Sequence, residues 1–347
     1  MERNSLWKKL AIPLVLIIGI ATLTIFTSRD DAPSSGNDGE QLTQIKFNMS
    51  WLPQGSMAGI FVAIDKGYYK DVGLEVEPIR GFGGTRTVNE LDQGMFEFAY
   101  ADPLSVTLNR FNGGHAKMIG GVNMKFPAGA CFIKERHNIK TPSDLAGLSF
   151  GAGQSSAVQK LLPSWLKRNN VDAQKVKMIQ LDPSVVVSSL IEGRVDTAEC
   201  WQGNSMALFE KNAAIAGLTV GRLPYADFGF DVYGSGFVAR DEYIASHPDI
   251  VKKFLEASYR GYDDAAASPE DAVKIIRKYH ELLEPAVTEQ QIRETAGLMA
   301  AGGGSKALDR AKIERTISFL TDAGQIKDFD KADSVFTNQF LNSQPDK

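Results

Sequence analysis

Leu91-Asp92-Gln93-Gly94-Met95-Phe96-Glu97-Phe98-Ala99-Tyr100 returns about a hundred residues later as Leu190-Ile191-Glu192-Gly193-Arg194-Val195-Asp196-Thr197-Ala198-Glu199. The shared form is Leu-x-x-Gly-x-apolar-acid-x-Ala. Each copy reads as a helix end, a glycine stop, an acidic turn and a strand running to its carboxyl edge. Two copies of one supersecondary unit suggest two lobes built on one plan.

Outward from the first copy, strands and helices alternate. Ile45–Trp51 is an alternating strand, Ala58–Lys66 a helix stopped at Gly67, and Leu74–Pro78 a strand. Helix Thr87–Gln93, strand Phe96–Tyr100, helix Asp102–Phe111 and strand Met118–Asn123 follow. Around the second copy come strand Ala130–Lys134, a helix start at Thr141-Pro142-Ser143-Asp144, strand Leu148–Gly151 and helix Ser155–Asn169. Strand Val176–Leu181, helix Ser184–Glu192 and strand Thr197–Cys200 complete it. Strand Tyr233–Arg240 then leads into four helices, His247–Ala265, Pro269–His280, Thr288–Leu298 and Leu308–Ala323. The alternation predicts an α/β protein with mainly parallel sheets and helices on both faces. One lobe is expected from residues 45–128 and 230–347, the other from 129–229, with hinge strands near 130–134 and 233–240. Two crossings make a hinge. The cleft beside it is faced by strand ends and helix starts, where open α/β sheets hold ligands.

The apolar residues are unevenly spread. Arg3, Lys8 and Lys9 precede Leu10–Phe26, a stretch without charge. A basic start followed by an apolar block reads as an export signal or membrane anchor over residues 1–29. Residues 30–44 are rich in Ser, Gly and Asp and read as a flexible tether. Export places the folded part in the periplasm or cell envelope. The remaining composition excludes other classes. The chain is 347 residues long, 43% hydrophobic, with 38 Lys+Arg against 42 Asp+Glu. Such a chain is neither wholly disordered nor a nucleic-acid binder working by bulk charge. Two cysteines and four histidines leave little for a metal site or a disulfide framework. Cys131 and Cys200 read as buried thiols rather than a bridge, although an exported setting permits one.

Trp51-Leu52-Pro53-Gln54, Ala58–Ala63, Lys66-Gly67-Tyr68-Tyr69 and Val72–Val76 together resemble the opening of periplasmic solute-binding proteins of ABC importers. The likeness is to the branch that includes nitrate, alkanesulfonate and taurine binders and the NMT1/THI5-like thiamine-precursor proteins. Gly94–Ala99, Ile139–Gly147, Gly193–Ala198 and Gly236–Arg240 with His247-Pro248 extend it over nearly all of residues 45–340. The resemblance implies a two-lobed class II binding-protein fold, a Venus flytrap closing on a small ligand. It implies an ABC permease in the inner membrane as partner, a monomer, and no cofactor. Fungal pyrimidine synthases of this superfamily carry a Cys-rich motif with a catalytic His. Nothing here matches it, so that enzyme activity is not expected.

Candidate ligand contacts lie after the strands. Trp51 and Gln54 follow the first strand and offer a flat face and an amide. Gly81-Phe82-Gly83-Gly84-Thr85 opens a helix between Arg80 and Arg86; Gly83, Gly84 and Thr85 could bring backbone N–H groups to an anionic group. The same stretch also reads as an ordinary tight turn. Tyr100 and Asp102 end the third strand, and Asp102 equally suits the cap of the helix at Pro103. Gln154, Ser155 and Ser156 form the second lobe's polar loop. Glu199 and Trp201, at the end of the echoed strand, suit a nitrogen-rich planar ligand held by stacking and a carboxylate. Asp231 and Tyr233 sit in an aromatic, acidic return crossing. Each of these aromatics also suits packing. No nucleophile–base pair, metal cluster or cofactor motif accompanies them. The preferred ligand is a thiamine-related pyrimidine or similar heteroaromatic. A small anion (nitrate, alkanesulfonate, carboxylate) is the alternative, and a membrane-tethered sensing module is a third reading.

Overall fold

The structure is a computed structural model that describes residues 42–153 and 156–341. The export or anchor segment, nearly all of the tether, Gln154 and Ser155 lie outside the described residues.

In chain order the first part comprises β1 (Thr43–Asn48), α1 (Ala58–Asp65), α2 (Tyr68–Asp71), β2 (Leu74–Ile79), α3 (Gly84–Asp92), β3 (Phe98–Ala101), α4 (Pro103–Phe111) and β4 (Ala116–Gly121). Then come β5 (Ala128–Ile133), β6 (Ser149–Gly153), α5 (Ala157–Arg168), β7 (Lys177–Leu181), α6 (Val186–Ile191), β8 (Thr197–Trp201), α7 (Ser205–Ile215) and β9 (Val220–Pro224). The chain ends with β10 (Gly236–Arg240), α8 (Asp241–Ser246), α9 (Pro248–Ala267), α10 (Pro269–Tyr279), α11 (Pro285–Ala300), α12 (Arg310–Asp322) and α13 (Ala332–Val335).

Two five-stranded sheets result, ordered β2-β1-β3-β10-β4 and β7-β6-β8-β5-β9. The echoed strands β3 and β8 occupy the centre of their sheets. Each is parallel to one neighbour, β1 or β6, and antiparallel to the other, β10 or β5. The sheets are therefore mixed. The expectation of mainly parallel sheets is corrected at β10 and β5, because a strand that enters from the other sheet arrives against the local direction.

The echo has a physical basis. Gly94 (φ +80°) and Gly193 (φ +75°) turn left-handed just past their helices, a conformation that glycine adopts without a Cβ penalty. The acid that follows accepts the backbone N–H of the adjacent parallel strand, Lys46 to Glu97 at 2.7 Å and Ser149 to Asp196 at 2.8 Å. An arginine caps each helix end. Arg240 donates to the carbonyls of Leu91 (2.8 Å) and Phe96 (2.9 Å). Arg136 donates to those of Leu190 (2.9 Å) and Ile191 (2.8 Å). In both sheets the last helix carbonyls take the glycine N–H and an arginine from elsewhere in the chain: Gly94 and Arg240 on Leu91, Gly193 and Arg136 on Leu190.

Helix α9 buries Val251, Phe254, Leu255, Ser258, Tyr259, Tyr262 and Ala265, a stripe at three- and four-residue spacing. It lays Phe254 flat on Phe98 of β3, with ring centroids 4.0 Å apart. Burying each such ring stabilises the fold by roughly 1.5–3 kcal/mol. Under the second sheet, Cys131, Cys200, Met206 and Phe209 form a smaller core beneath α7.

Several elements differ from the sequence reading. Helix α7 and strand β9 are absent from it. No side chain caps the start of α7, and β9 contains Gly221 and Pro224. The helix expected from Thr141 is one tight turn, Pro142–Leu145, although Asp144 does accept the Thr141 N–H at 2.9 Å. The two cysteines are not free thiols. They form a disulfide with Cα atoms 5.8 Å apart. Antiparallel pairing sets Cys131 opposite Ala198 and Cys200 opposite Gly129, so the two lie diagonally across neighbouring strands. That adjacency is a long-range property of the fold, which residue spacing alone does not reveal.

Candidate ligand cleft

The carboxyl ends of β1, β2 and β3 carry three loops that are stitched together. Ser50 accepts the Gly83 N–H at 2.8 Å and Trp51 accepts that of Gly81 at 3.1 Å. Buried Asn48 anchors both loops, accepting from the Ser50 N–H (2.9 Å) and the Thr87 hydroxyl (3.2 Å) while donating to Glu90 (3.1 Å). This places Trp51 beside the start of α3. Asp102 lies against the same helix start: a Cβ built on Gly84 would meet its Oδ2 at 2.5 Å.

Asp102 caps α4, accepting from the Ser105 N–H at 2.8 Å and the Ser105 hydroxyl at 3.0 Å. Burial raises its pKa and those hydrogen bonds oppose the rise. Trp51, Gly83, Gly84 and Asp102 are thus gathered. Thr85 is exposed. Tyr100 belongs to the core, edge-on to Phe237 with centroids 6.4 Å apart. Its buried hydroxyl has no hydrogen-bond partner among the described residues. Arg80 and Arg86 bracket the exposed Phe82 ring at 4.5 and 4.4 Å, and Arg86 also pairs with Glu90 at 2.6 Å.

In the second sheet, β8 delivers Glu199 and Trp201 to the start of α5. Ser156 caps α5 through the Val158 N–H (3.2 Å) and donates its hydroxyl to Glu199 Oε2 at 2.6 Å. The Trp201 indole N–H donates to the other carboxylate oxygen. Glu199 is only 7% exposed. Burial pushes its pKa up, against the pull of the Ser156 and Trp201 hydrogen bonds. Trp201 meets Phe126 edge-on at 5.4 Å. Ser156, Glu199 and Trp201 are therefore one cluster.

The two groups approach each other at their loops. Gln54 donates to the Ser56 hydroxyl at 3.0 Å, and a Cβ built on Gly203 would lie 3.8 Å from the Ser56 Cβ. Asp231 and Tyr233 have their polar atoms committed to α12. Asp231 pairs with Lys312 (3.1 Å) and Arg315 (2.9 Å), and the Tyr233 hydroxyl accepts the Asp309 N–H at 2.8 Å.

Sequence reasoning passes over Tyr225, which lies near Glu199, and Arg222. The buried Tyr225 hydroxyl has no partner among the described residues, and Glu199 is one of the charges that raise its pKa, after burial. Arg222 donates to the Pro127 carbonyl at 2.7 Å while its Nε stays buried and unpaired among the described residues. Both sit on or just after β9, and a missed strand hides its side chains.

Two mixed sheets, with polar helix starts gathered at the ends of their central strands, define the two-lobed α/β binding-protein fold. The nitrate-binding protein NrtA of Synechocystis PCC 6803 shares it, with a TM-score of 0.66 at 12% identity over 86% of this chain and 87% of that one. A family model described as NMT1/THI5 like matches residues 54–272, and the chain belongs to that family. Riboflavin-binding protein RibY of Chloroflexus aurantiacus is 25% identical over 351 residues, 96% of each chain. The formylaminopyrimidine-binding protein of Halalkalibacterium halodurans is 19% identical over 244 residues, 70% of this chain and 72% of that one. The resemblance read from Trp51–Val76 and its companion motifs holds.

Proposed function

We propose that this protein is the solute-binding component of an ABC importer, exported to the periplasm or cell envelope. It captures a planar heteroaromatic ligand, such as a thiamine-related pyrimidine, between two lobes and hands it to a permease in the inner membrane. It works as a monomer and performs no catalysis.

The observation that carries this reading is Glu199, a buried carboxylate on a central strand fixed by Ser156 and by Trp201 at that strand's end. A carboxylate has about four acceptor sites and two are used here. The others suit ring N–H or amino donors, while the indole supplies a flat face for stacking. Two relatives named for binding riboflavin and formylaminopyrimidine support the same ligand class. A small anion fits less well. The Asp102 carboxylate lies beside the start of α3, where an anion would sit, and Arg80 and Arg86 are engaged around Phe82.

Native mass spectrometry of protein purified from cells tests the proposal. A retained aromatic nitrogen heterocycle supports it, and a retained nitrate or sulfonate overturns it.

A further inference from the structure

The Trp201–Ser205 loop, at the end of β8, lies against α11, which packs on α9, α10 and residues 55–57. The contact is specific and polar. The Gln291 side chain accepts the Gly55 N–H at 2.8 Å and donates to the Asn204 carbonyl at 2.8 Å. One amide thus joins the loop after β1 to the loop after β8. Glu294, one turn further along, accepts the Gly203 N–H at 2.6 Å and is itself held by Gln290 at 3.0 Å. Gln290 also reaches Glu210 on α7, and Lys211 lies 3.6 Å from Glu284.

The fit is close. Gly203 has φ +75°, and a Cβ there would meet Thr295 Oγ1 at 2.7 Å. Gln291 is 4% exposed. Among the described residues, neither Gln291 nor Glu294 bonds to a candidate ligand contact; both bond to the backbone of loops that carry them.

We propose that Gln291 and Glu294 form a latch that holds the two lobes shut across the mouth of the cleft, acting as positioning residues that set ligand affinity through closure. Ligand affinity for a two-state receptor falls with the fraction of molecules in the competent state. Contacts made only when the lobes meet raise that fraction without touching ligand. The proposal rests on the reading of the two sheets as closing lobes, but not on which ligand they hold.

Small-angle X-ray scattering of the ligand-free protein tests it, because lobe separation is read directly. Gln291→Met keeps the side chain's length and removes both of its hydrogen bonds; Glu294→Met removes the third. The wild type is expected to populate the closed arrangement in part and so to scatter more compactly than the variants. The double variant is expected to show an increased radius of gyration with a cooperative melt retained. A packing role without a latch would lower the melting temperature and leave the radius unchanged, and that result overturns the proposal. Should the double variant not fold, Gly203→Ala disturbs the same contact from the opposite side and is expected to give the same expansion. An unchanged radius in that variant also counts against the latch. Thermal-shift screening of ligands is a separate measurement, so failure of the ligand assignment and failure of the latch are distinguishable.

Discussion

At the scale of single residues, Glu199 and Trp201 carry the functional reading. Replacing Trp201 by Ala removes the stacking face and one donor to Glu199. Isothermal titration calorimetry with the identified ligand should show affinity reduced more than tenfold. Unchanged affinity would mean the ring only packs on Phe126. Glu199→Gln should weaken a donor-rich ligand and leave an anionic one unaffected or improved. The same residue makes a pH prediction for the free protein. Burial raises the folded-state pKa above the unfolded value of about 4.3. Its stabilising contribution is therefore complete below the unfolded pKa and is lost as pH rises through the folded pKa. The melting temperature of Glu199→Gln relative to wild type should accordingly climb as pH rises above the unfolded value of about 4.3. A difference that stays flat as pH rises above that value would show the carboxyl to be unperturbed. Asp102 and Ser156 show what is hard to read at this scale. Each is a helix cap in the structure, Asp102 readably so in the sequence, and only neighbours distant in the chain place them at a candidate site.

At the scale of elements, the repeated unit is legible because all its parts are local: a helix end, a left-handed glycine and an acid three residues on. Its partners are not. Arg240 and Arg136, which cap the two helix ends, come from beyond the crossing strands and follow no spacing rule. Arg240→Ala should cost about 1–3 kcal/mol in urea unfolding, because it leaves the half-buried Phe96 carbonyl without its partner, while the Leu91 carbonyl keeps the Gly94 N–H. Arg136→Ala should cost less, since water reaches its site. The bridge between β5 and β8 is equally invisible, because two lone cysteines say nothing about strand order. It closes a loop of 69 residues. Replacing both cysteines by Ser should lower stability by roughly 4 kcal/mol on chain-entropy grounds. A loss well below that would mean the β5–β8 pairing already restrains the unfolded chain.

At the scale of the whole molecule, alternation and the echo together make a two-lobed α/β protein readable in the sequence. Mixed strand direction is not readable there, because residues do not encode which way a crossing strand enters its sheet. The candidate cleft is half legible. The loops after β1, β3 and β8 announce themselves by their polar and aromatic residues. The contribution of α11 does not, since Gln291 and Glu294 sit in the middle of an ordinary amphipathic helix. Selective capture of a heteroaromatic ligand is the central claim, and one thermal-shift titration tests it. Riboflavin, a thiamine-related aminopyrimidine, nitrate and an alkanesulfonate would be compared at matched ionic strength. A cognate ligand at a hundred times Kd stabilises by about 2.7 kcal/mol. The expected result is a saturable rise in Tm with a heteroaromatic compound and none with nitrate or the sulfonate; a rise with an anion alone would contradict the account.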